Sequence, residues 1–269
     1  MTKEKIFSNE HLLYIKKQKK ENIFIVIMRF SILILLLALW ELCASIGLVD
    51  AFITSSPSRI FNTIGSLFSE NDLIFHMAIT LYETILGFLI AVILGYVIAL
   101  LLWWSERLRR ILEPYIVVLN SLPKIALGPI IIVWCGSGSK AIIFMAVLIG
   151  IIVAIITMLN GFLSTDKNKI LLLQSMGANK LQILTKLVIP GSLPTFISML
   201  KISVGMAWVG SIMGEYLVSR AGLGYLIVYG GQVFKLDLVM SATVILCILA
   251  ALMYLIVALL EKKLIKYKY

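Results

Sequence analysis

Six stretches of this chain are each long and apolar enough to cross a lipid bilayer as a helix, and no other feature restricts its folding so severely. A hydrocarbon core about 30 Å thick takes about 20 helical residues at about 1.5 Å apiece. Runs of that length lie at Ile23 to Ile46, His76 to Trp104, Ile111 to Trp134, Ala141 to Phe162, Leu193 to Leu217 and Leu238 to Leu260, each bounded by charge, Gly or Pro. With 61% of its 269 residues hydrophobic and 14% charged, and a mean hydropathy of +1.02, the chain cannot be a water-soluble globular domain. Lipid offers no partner to a backbone N–H or C=O, so a spanning segment is a helix or part of a closed barrel, and the alternating strands of a barrel are absent. The sequence therefore predicts an all-α polytopic membrane protein with about six transmembrane helices.

The basic residues orient it. Residues 1–22 carry six Lys or Arg, the segment Ser105 to Glu113 three, the segment Leu163 to Ser192 four, and the residues after Glu261 four. The opposite connections hold only Arg59, Lys140, Arg220 and Lys235, while Arg29, Lys124 and Lys201 fall within or beside spans. The positive-inside rule predicts that both termini and the 163–192 insert are cytoplasmic in a multi-pass inner-membrane protein. The net charge of +10 needs no nucleic acid to explain it, because the bases flank spans on one side, where anionic inner-leaflet lipid attracts them. The run Lys16 to Lys20 resembles the start of a signal peptide, but the apolar stretch behind it is too long and lacks a small-residue cleavage site; it reads as a retained helix and anchor.

Several chemistries fall away. Cys43, Cys135 and Cys247 sit in or at the ends of apolar runs without pairing or metal spacing, as small buried hydrophobes do. Two histidines in the whole chain, His11 and His76, exclude an H-E-x-x-H zinc site, and no metal site is expected. The GSGSK segment, Gly136 to Lys140, lacks the spacing, the following Ser or Thr and the preceding strand of a phosphate loop. No catalytic residues and no nucleotide site are expected.

Between the fourth and fifth runs stands LLLQSMGANKLQILTKLVIPGSLP, Leu171 to Pro194, too short for a catalytic domain and too strongly punctuated for a plain loop. From Lys169 to Leu187 apolar residues recur at helical spacing, with Asn179, Lys180, Gln182 and Lys186 interleaved and Gly177 dividing the stretch into two short helices. Pro190 and Pro194 stop the second helix and restart the chain into the next span. A helix, a glycine elbow and a second helix make a projecting knob suited to being gripped by another protein.

This insert resembles the cytoplasmic EAA loop of permease subunits of bacterial ABC importers, whose pattern is E-A-A, three residues, Gly, nine residues and I-x-L-P. Gly177 matches the glycine, and Leu187, Ile189 and Pro190 match the terminal motif; Leu171, Leu172 and Leu173 stand where the name-giving residues would be. SLPKIALGPIIIVWCGSG, Ser121 to Gly138, and LKISVGMAWVGSIMGEYLVSRAGLGYLI, Leu200 to Ile227, resemble the nitrate, sulfonate and taurine branch, and the likeness runs from about residue 76 to the C-terminus. The resemblance implies a subunit without its own enzymatic activity. It implies partners as well: ABC ATPase subunits that bind ATP and Mg, an extracytoplasmic solute-binding protein or lipoprotein, and a second permease copy forming a homodimer. Solute import is then driven by alternating access.

On that basis the candidate ATPase-coupling residues are Ser175, Met176, Gly177, Ala178, Asn179, Lys180, Leu187, Ile189 and Pro190, with Gly177 as elbow and Ala178 to Lys180 at the tip. The expected division is a segment 1–22, a first span with its external connection 23–75, a permease core 76–262 that includes the 163–192 loop, and a tail 263–269. Charges within spans are costly and mark functional candidates, here Glu83, Lys124, Lys201 and Glu215, with Trp208 as a pathway aromatic. Lys124 sits in a Pro- and Gly-interrupted span where a broken helix would expose backbone N–H groups; Lys201 is near enough to the cytoplasm to snorkel. Small residues along the fifth span, among them Ala207 with Ser211 and Gly210 with Gly214, predict close helix packing near the pathway or a dimer seam.

Two other classes compete. An ion-coupled secondary transporter should show inverted repeats, and none is evident between residues 23–134 and 141–260. An intramembrane enzyme needs a nucleophile and a base, and no such constellation emerges.

Overall fold

The computed structural model describes residues 9–69 and 72–264, so parts of the expected 1–22 segment and 263–269 tail lie outside the described residues. The chain divides into two compact units, Met1–Thr63 and Ile64–Tyr269. In the first, α1 runs Asn9–Ser45 and is helical well before Ile23, because the Lys- and Gln-rich residues preceding the apolar run are good helix formers. Asp50 caps the short α2, Ala51–Thr54, by accepting from the Phe52 N–H at 2.8 Å. The Glu41 carboxylate accepts from both the backbone N–H and the hydroxyl of Ser58, at 2.9 and 2.7 Å, in the first turn of α3, Pro57–Ser69.

The second unit is built on α4, Asp72–Trp104; α5, Glu106–Ser121; α6, Gly128–Cys135; α7, Ser139–Leu163; α8, Lys167–Ser175; α9, Lys180–Ile183; α10, Ile189–Gly191; α11, Leu193–Val218; α12, Leu223–Gln232; and α13, Leu236–Leu264. There is no strand among the described residues. The third apolar run, Ile111 to Trp134, is broken at its Pro- and Gly-interrupted centre, and its halves meet at 86°. Leu122, preceding Pro123, is extended at φ −64°, ψ 135°, because the proline ring disfavours helical geometry in the residue before it. A tight turn, Lys124–Leu127, then leads into α6.

Small residues set the packing. A methyl group built on Gly87 would lie 2.5 Å from the Ala146 Cβ, one on Gly150 3.1 Å from the Ala91 Cβ, and one on Gly95 2.6 Å from the Ala154 Cβ. These contacts climb α4 and α7 together in steps of four residues, so the two helices run parallel, glycine opposite alanine. Parallel neighbours require a return passage, and the bent α5–α6 segment supplies it; a re-entrant loop would bring the chain back to the wrong end. α11 packs antiparallel on α7: Gly210 and Gly214 face the Ala146 and Ile142 Cα atoms, and an added Cβ would fall at 2.5 and 2.9 Å. The predicted close-packing face of the fifth span therefore meets α7 of its own chain.

One end of this unit carries α12 and the N-termini of α4, α7 and α13; the other carries α8 to α10. Between them one apolar core joins Ala99 and Leu102 of α4, Ile155, Met158 and Phe162 of α7, and Met199, Val204 and Ala207 of α11. Ile183, Leu184 and Val188 of the insert are buried in the same cluster, which fastens the insert's inner face to the bundle. Tyr96 edges onto both Phe162 and Phe196 at 5.6 Å.

Candidate functional site

The insert begins where Asp166 accepts from the Asn168 N–H at 2.9 Å and starts α8. α8 ends in a Schellman motif. Gly177 adopts φ +82°, its N–H bonds the Gln174 carbonyl at 2.9 Å and the Ala178 N–H bonds the Leu173 carbonyl at 2.9 Å. Asn179 then opens α9 with a reciprocal capping box: the Gln182 N–H donates to Asn179 Oδ1 and the Asn179 N–H to Gln182 Oε1, both at 2.8 Å. The backbone donors from Met176 to Asn179, and that of Gln182, thus have local partners, which makes the elbow a stiff joint rather than a slack loop. A wider π-helical turn, Leu184–Val188, precedes Ile189 and Pro190.

The expected coupling residues divide between the two faces of this joint. Ser175, Met176, Gly177, Asn179 and Pro190 are exposed, while Ala178, Leu187 and Ile189 are half-buried against the core. Leu171, Leu172, Met176 and Leu181 stand out by 61, 60, 73 and 57% of their surface. Lys180, expected at the tip, reaches back: its Nζ donates to the Trp104 carbonyl at 2.5 Å and lies 5.9 and 5.3 Å from the rings of Trp103 and Trp104. An ammonium on the last carbonyls of a helix complements its negative end and satisfies an orphan acceptor, so Lys180 ties the elbow to the end of α4.

Of the pathway candidates, Lys124 donates to the Asn120 carbonyl at 3.2 Å beside the break. Lys201 pairs with Glu261 of α13 at 2.6 Å and lies 5.9 Å from the Tyr254 ring, so its charge is neutralised within the chain. Trp208 is 4% exposed and its Nε1 has no partner. Glu83 of α4 and Glu215 of α11 are each 1% exposed, and Glu215 lies at the α12 end, where it holds α12. Oε2 of Glu83 and Oε1 of Glu215 have no hydrogen-bond partner. A recess of about 280 Å³ opens beside Glu83, lined also by Ser137, Ser139, Ser219 and Arg220.

Sequence reasoning passed over α12 and, apart from Glu215, the residues that seat it. The Gly222 N–H donates to His76 Nδ1 at 2.9 Å, the Leu223 N–H to Thr80 Oγ1 at 2.8 Å and the Gly224 N–H to Glu215 Oε2 at 2.5 Å. Three successive orphan donors of a helix N-terminus are therefore met by side chains from two spans instead of by a local cap. Thr84 and Ser211 bond at 2.6 Å one turn further in. A signal was present: His76, Thr80 and Thr84 recur every four residues, a polar stripe down one face of an otherwise apolar run.

Comparison with known proteins accords with this geometry. Residues 91–266 match the family described as binding-protein-dependent transport system inner membrane component. The formylaminopyrimidine transport permease protein ThiX of Halalkalibacterium halodurans is 31% identical over 192 residues, covering 71% of this chain and 76% of that protein. The taurine transport system permease protein TauC of Escherichia coli is 25% identical over 237 residues, covering 86% of each. Among solved structures, a chain from a bacterial alginate ABC transporter in complex with an alginate pentasaccharide-bound periplasmic protein superimposes with a TM-score of 0.66 at 16% identity, over 94% of this chain and 99% of that one, a likeness of fold. A helical bundle of membrane-crossing segments interrupted by a capped elbow, with the family match extending across it, leads to one conclusion: this chain belongs to the family of inner membrane components of binding-protein-dependent transport systems.

Proposed function

We propose that the chain forms the translocation pathway of an ATP-driven importer, as one of two identical permease subunits, and takes force from a separate ATPase through the segment from α8 to α10. The observation that carries this reading is the elbow itself. A joint capped on both sides, fastened to the core by Ile183, Leu184 and Val188 and crowned by exposed Leu171, Leu172, Met176 and Leu181, is a rigid apolar lever whose crown is uncovered among the described residues. Arg107, Arg109, Arg110, Lys167, Lys169 and Lys186 lie at the same end, against Lys140, Arg220 and Lys235 at the other, which supports a cytoplasmic position for it and for both termini. The α12 end then faces the binding protein, and the names of the relatives support a small solute of the aliphatic sulfonate, taurine or formylaminopyrimidine kind.

A photocrosslinker at Met176 is expected to capture the nucleotide-hydrolysing subunit in intact cells; capture of lipid alone rejects the reading. Gly177→Val is expected to cost only about 1–2 kcal/mol locally, from the left-handed backbone, since open space surrounds Gly177. Its transport nonetheless falls at least about tenfold, because a β-branched residue re-aims the lever. Wild-type uptake by that variant would remove the elbow's role. Lys180→Ala is expected to leave the ATPase bound while solute uptake per ATP hydrolysed drops, since the tie to α4 is worth about 2 kcal/mol as a charged hydrogen bond with cation–π support. Unchanged stoichiometry in proteoliposomes would show that the tie transmits nothing.

A further inference from the structure

The 13 residues of α3 carry a different chemistry on each of four sides. At about 100° per residue, Ile60, Ile64 and Leu67 share one side; Ile60 is buried, and Ile64 and Leu67 pack against the apolar core. Ser58, Asn62 and Ser69 take the side opposite. Of the two flanks between, one holds Phe61 and Phe68, which stand out by 81 and 58% of their surface. The other holds Arg59, Thr63 and Ser66. A helix fastened along one side, with phenylalanines on one flank and only polar groups on the other, suits a boundary between an apolar medium and water.

The height of α3 is set by α1. The Ser58 N–H and hydroxyl both donate to the Glu41 carboxylate, at 2.9 and 2.7 Å. Glu41 belongs to a helix long and apolar enough to cross a membrane, whose apolar run begins at Ile23, directly behind Lys19, Lys20 and Glu21. From Ile23 to Glu41 the helix rises about 27 Å, no more than the thickness of a hydrocarbon core of about 30 Å, and any tilt of α1 shortens the climb. The first turn of α3 is therefore held at the edge of the hydrocarbon and does not stand clear in water. The connection that returns the chain from the end of α1 to this height is apolar as well, with Leu48, Phe52 and Ile53 exposed.

We propose that α3 is an interfacial anchor: it lies along the bilayer surface at which α1 ends, with Phe61 and Phe68 at the headgroup and acyl-chain boundary and Arg59, Thr63 and Ser66 toward water. The partner of the phenylalanine flank is phospholipid. A soluble protein arriving at this surface would meet the Arg59 flank first, whereas the hydrocarbon edge fixed by Glu41 lies on the side of the aromatic rings. Aromatic side chains settle at that depth, where burial of the ring needs no partner helix.

Nitroxide labels on the full chain in lipid nanodiscs test this, placed singly at Phe61→Cys, Phe68→Cys and Ser66→Cys after Cys43, Cys135 and Cys247 are changed to serine. The ratio of collisions with oxygen to collisions with a water-soluble nickel chelate is expected to be at least about threefold higher at positions 61 and 68 than at 66, because oxygen concentrates in lipid and the chelate in water. In cells, with the three cysteines kept, a photocrosslinking phenylalanine analogue at position 61 is expected to capture lipid. Equal ratios at the three positions, or capture of an extracytoplasmic protein or of a second copy of this chain in place of lipid, would overturn the proposal. Should the cysteine-free chain fail to fold, the crosslinked product decides alone, and absence of any lipid adduct counts against the anchor.

Discussion

Gly210→Leu is expected to yield no folded protein, because the added Cβ would lie 2.5 Å from the Ala146 Cα and 3.1 Å from its N. Backbone atoms of a helix cannot turn aside as a side-chain end can, so α7 and α11 must separate along their length. Overpacking costs about 1–3 kcal/mol even where side chains can repack; here the loss also takes the Thr84–Ser211 bond one residue further along α11 and the seat of α12. Gly205→Leu supplies the control. It lies on the same helix, and nothing comes within 4 Å of its added Cβ, so its monodisperse yield and melting temperature should stay close to the parent's. Equal yields for the two variants would mean that the α7–α11 approach does not hold the bundle together.

Glu215→Ala should fall well below Glu215→Gln in stability, by at least about 2 kcal/mol. Both changes remove a buried carboxyl group and so share whatever relief that brings; only the alanine also removes the acceptor of the Gly224 N–H and leaves a void. An unpaired buried donor costs about 1–3 kcal/mol, and the void adds to it. Since Gly222, Leu223 and Gly224 are held by His76, Thr80 and Glu215 in succession, the effect should appear locally as well. Hydrogen exchange at these three amides should quicken at least about tenfold in Glu215→Ala, whereas in Glu215→Gln it should stay close to the parent's. Equal exchange in the two variants would assign the seating of α12 to His76 and Thr80 alone.

Much of the architecture was legible because its determinants are local. Twenty apolar residues in a row declare a crossing whatever surrounds them, and Gly177, Asn179 and Gln182 build their elbow from atoms within six residues of one another. Pro123 announced a weak point, though the sequence could not tell a mild kink from an 86° turn, since that angle depends on where α7 must begin. Lys180 has a second contact that was hidden for the opposite reason. At a helix start beside other polar residues it reads as a solvent-facing tip, and only the fold brings the end of α4, 76 positions earlier, under its ammonium.

What the amino-acid order determined alone is therefore the apolar crossing segments, the grouping of the basic residues beside them and the form of the capped elbow, all governed by length, composition and hydrogen bonds between near neighbours. The tertiary structure decided which faces meet: Gly87 on Ala146, Lys201 on Glu261, Thr84 on Ser211, and α12 hung from two spans. Helical periodicity states that a residue shares a face with those three and four positions away. It is silent on which other helix will lie against that face, and in a bundle of similarly apolar helices only close backbone approach and the pairing of buried polar groups make the choice.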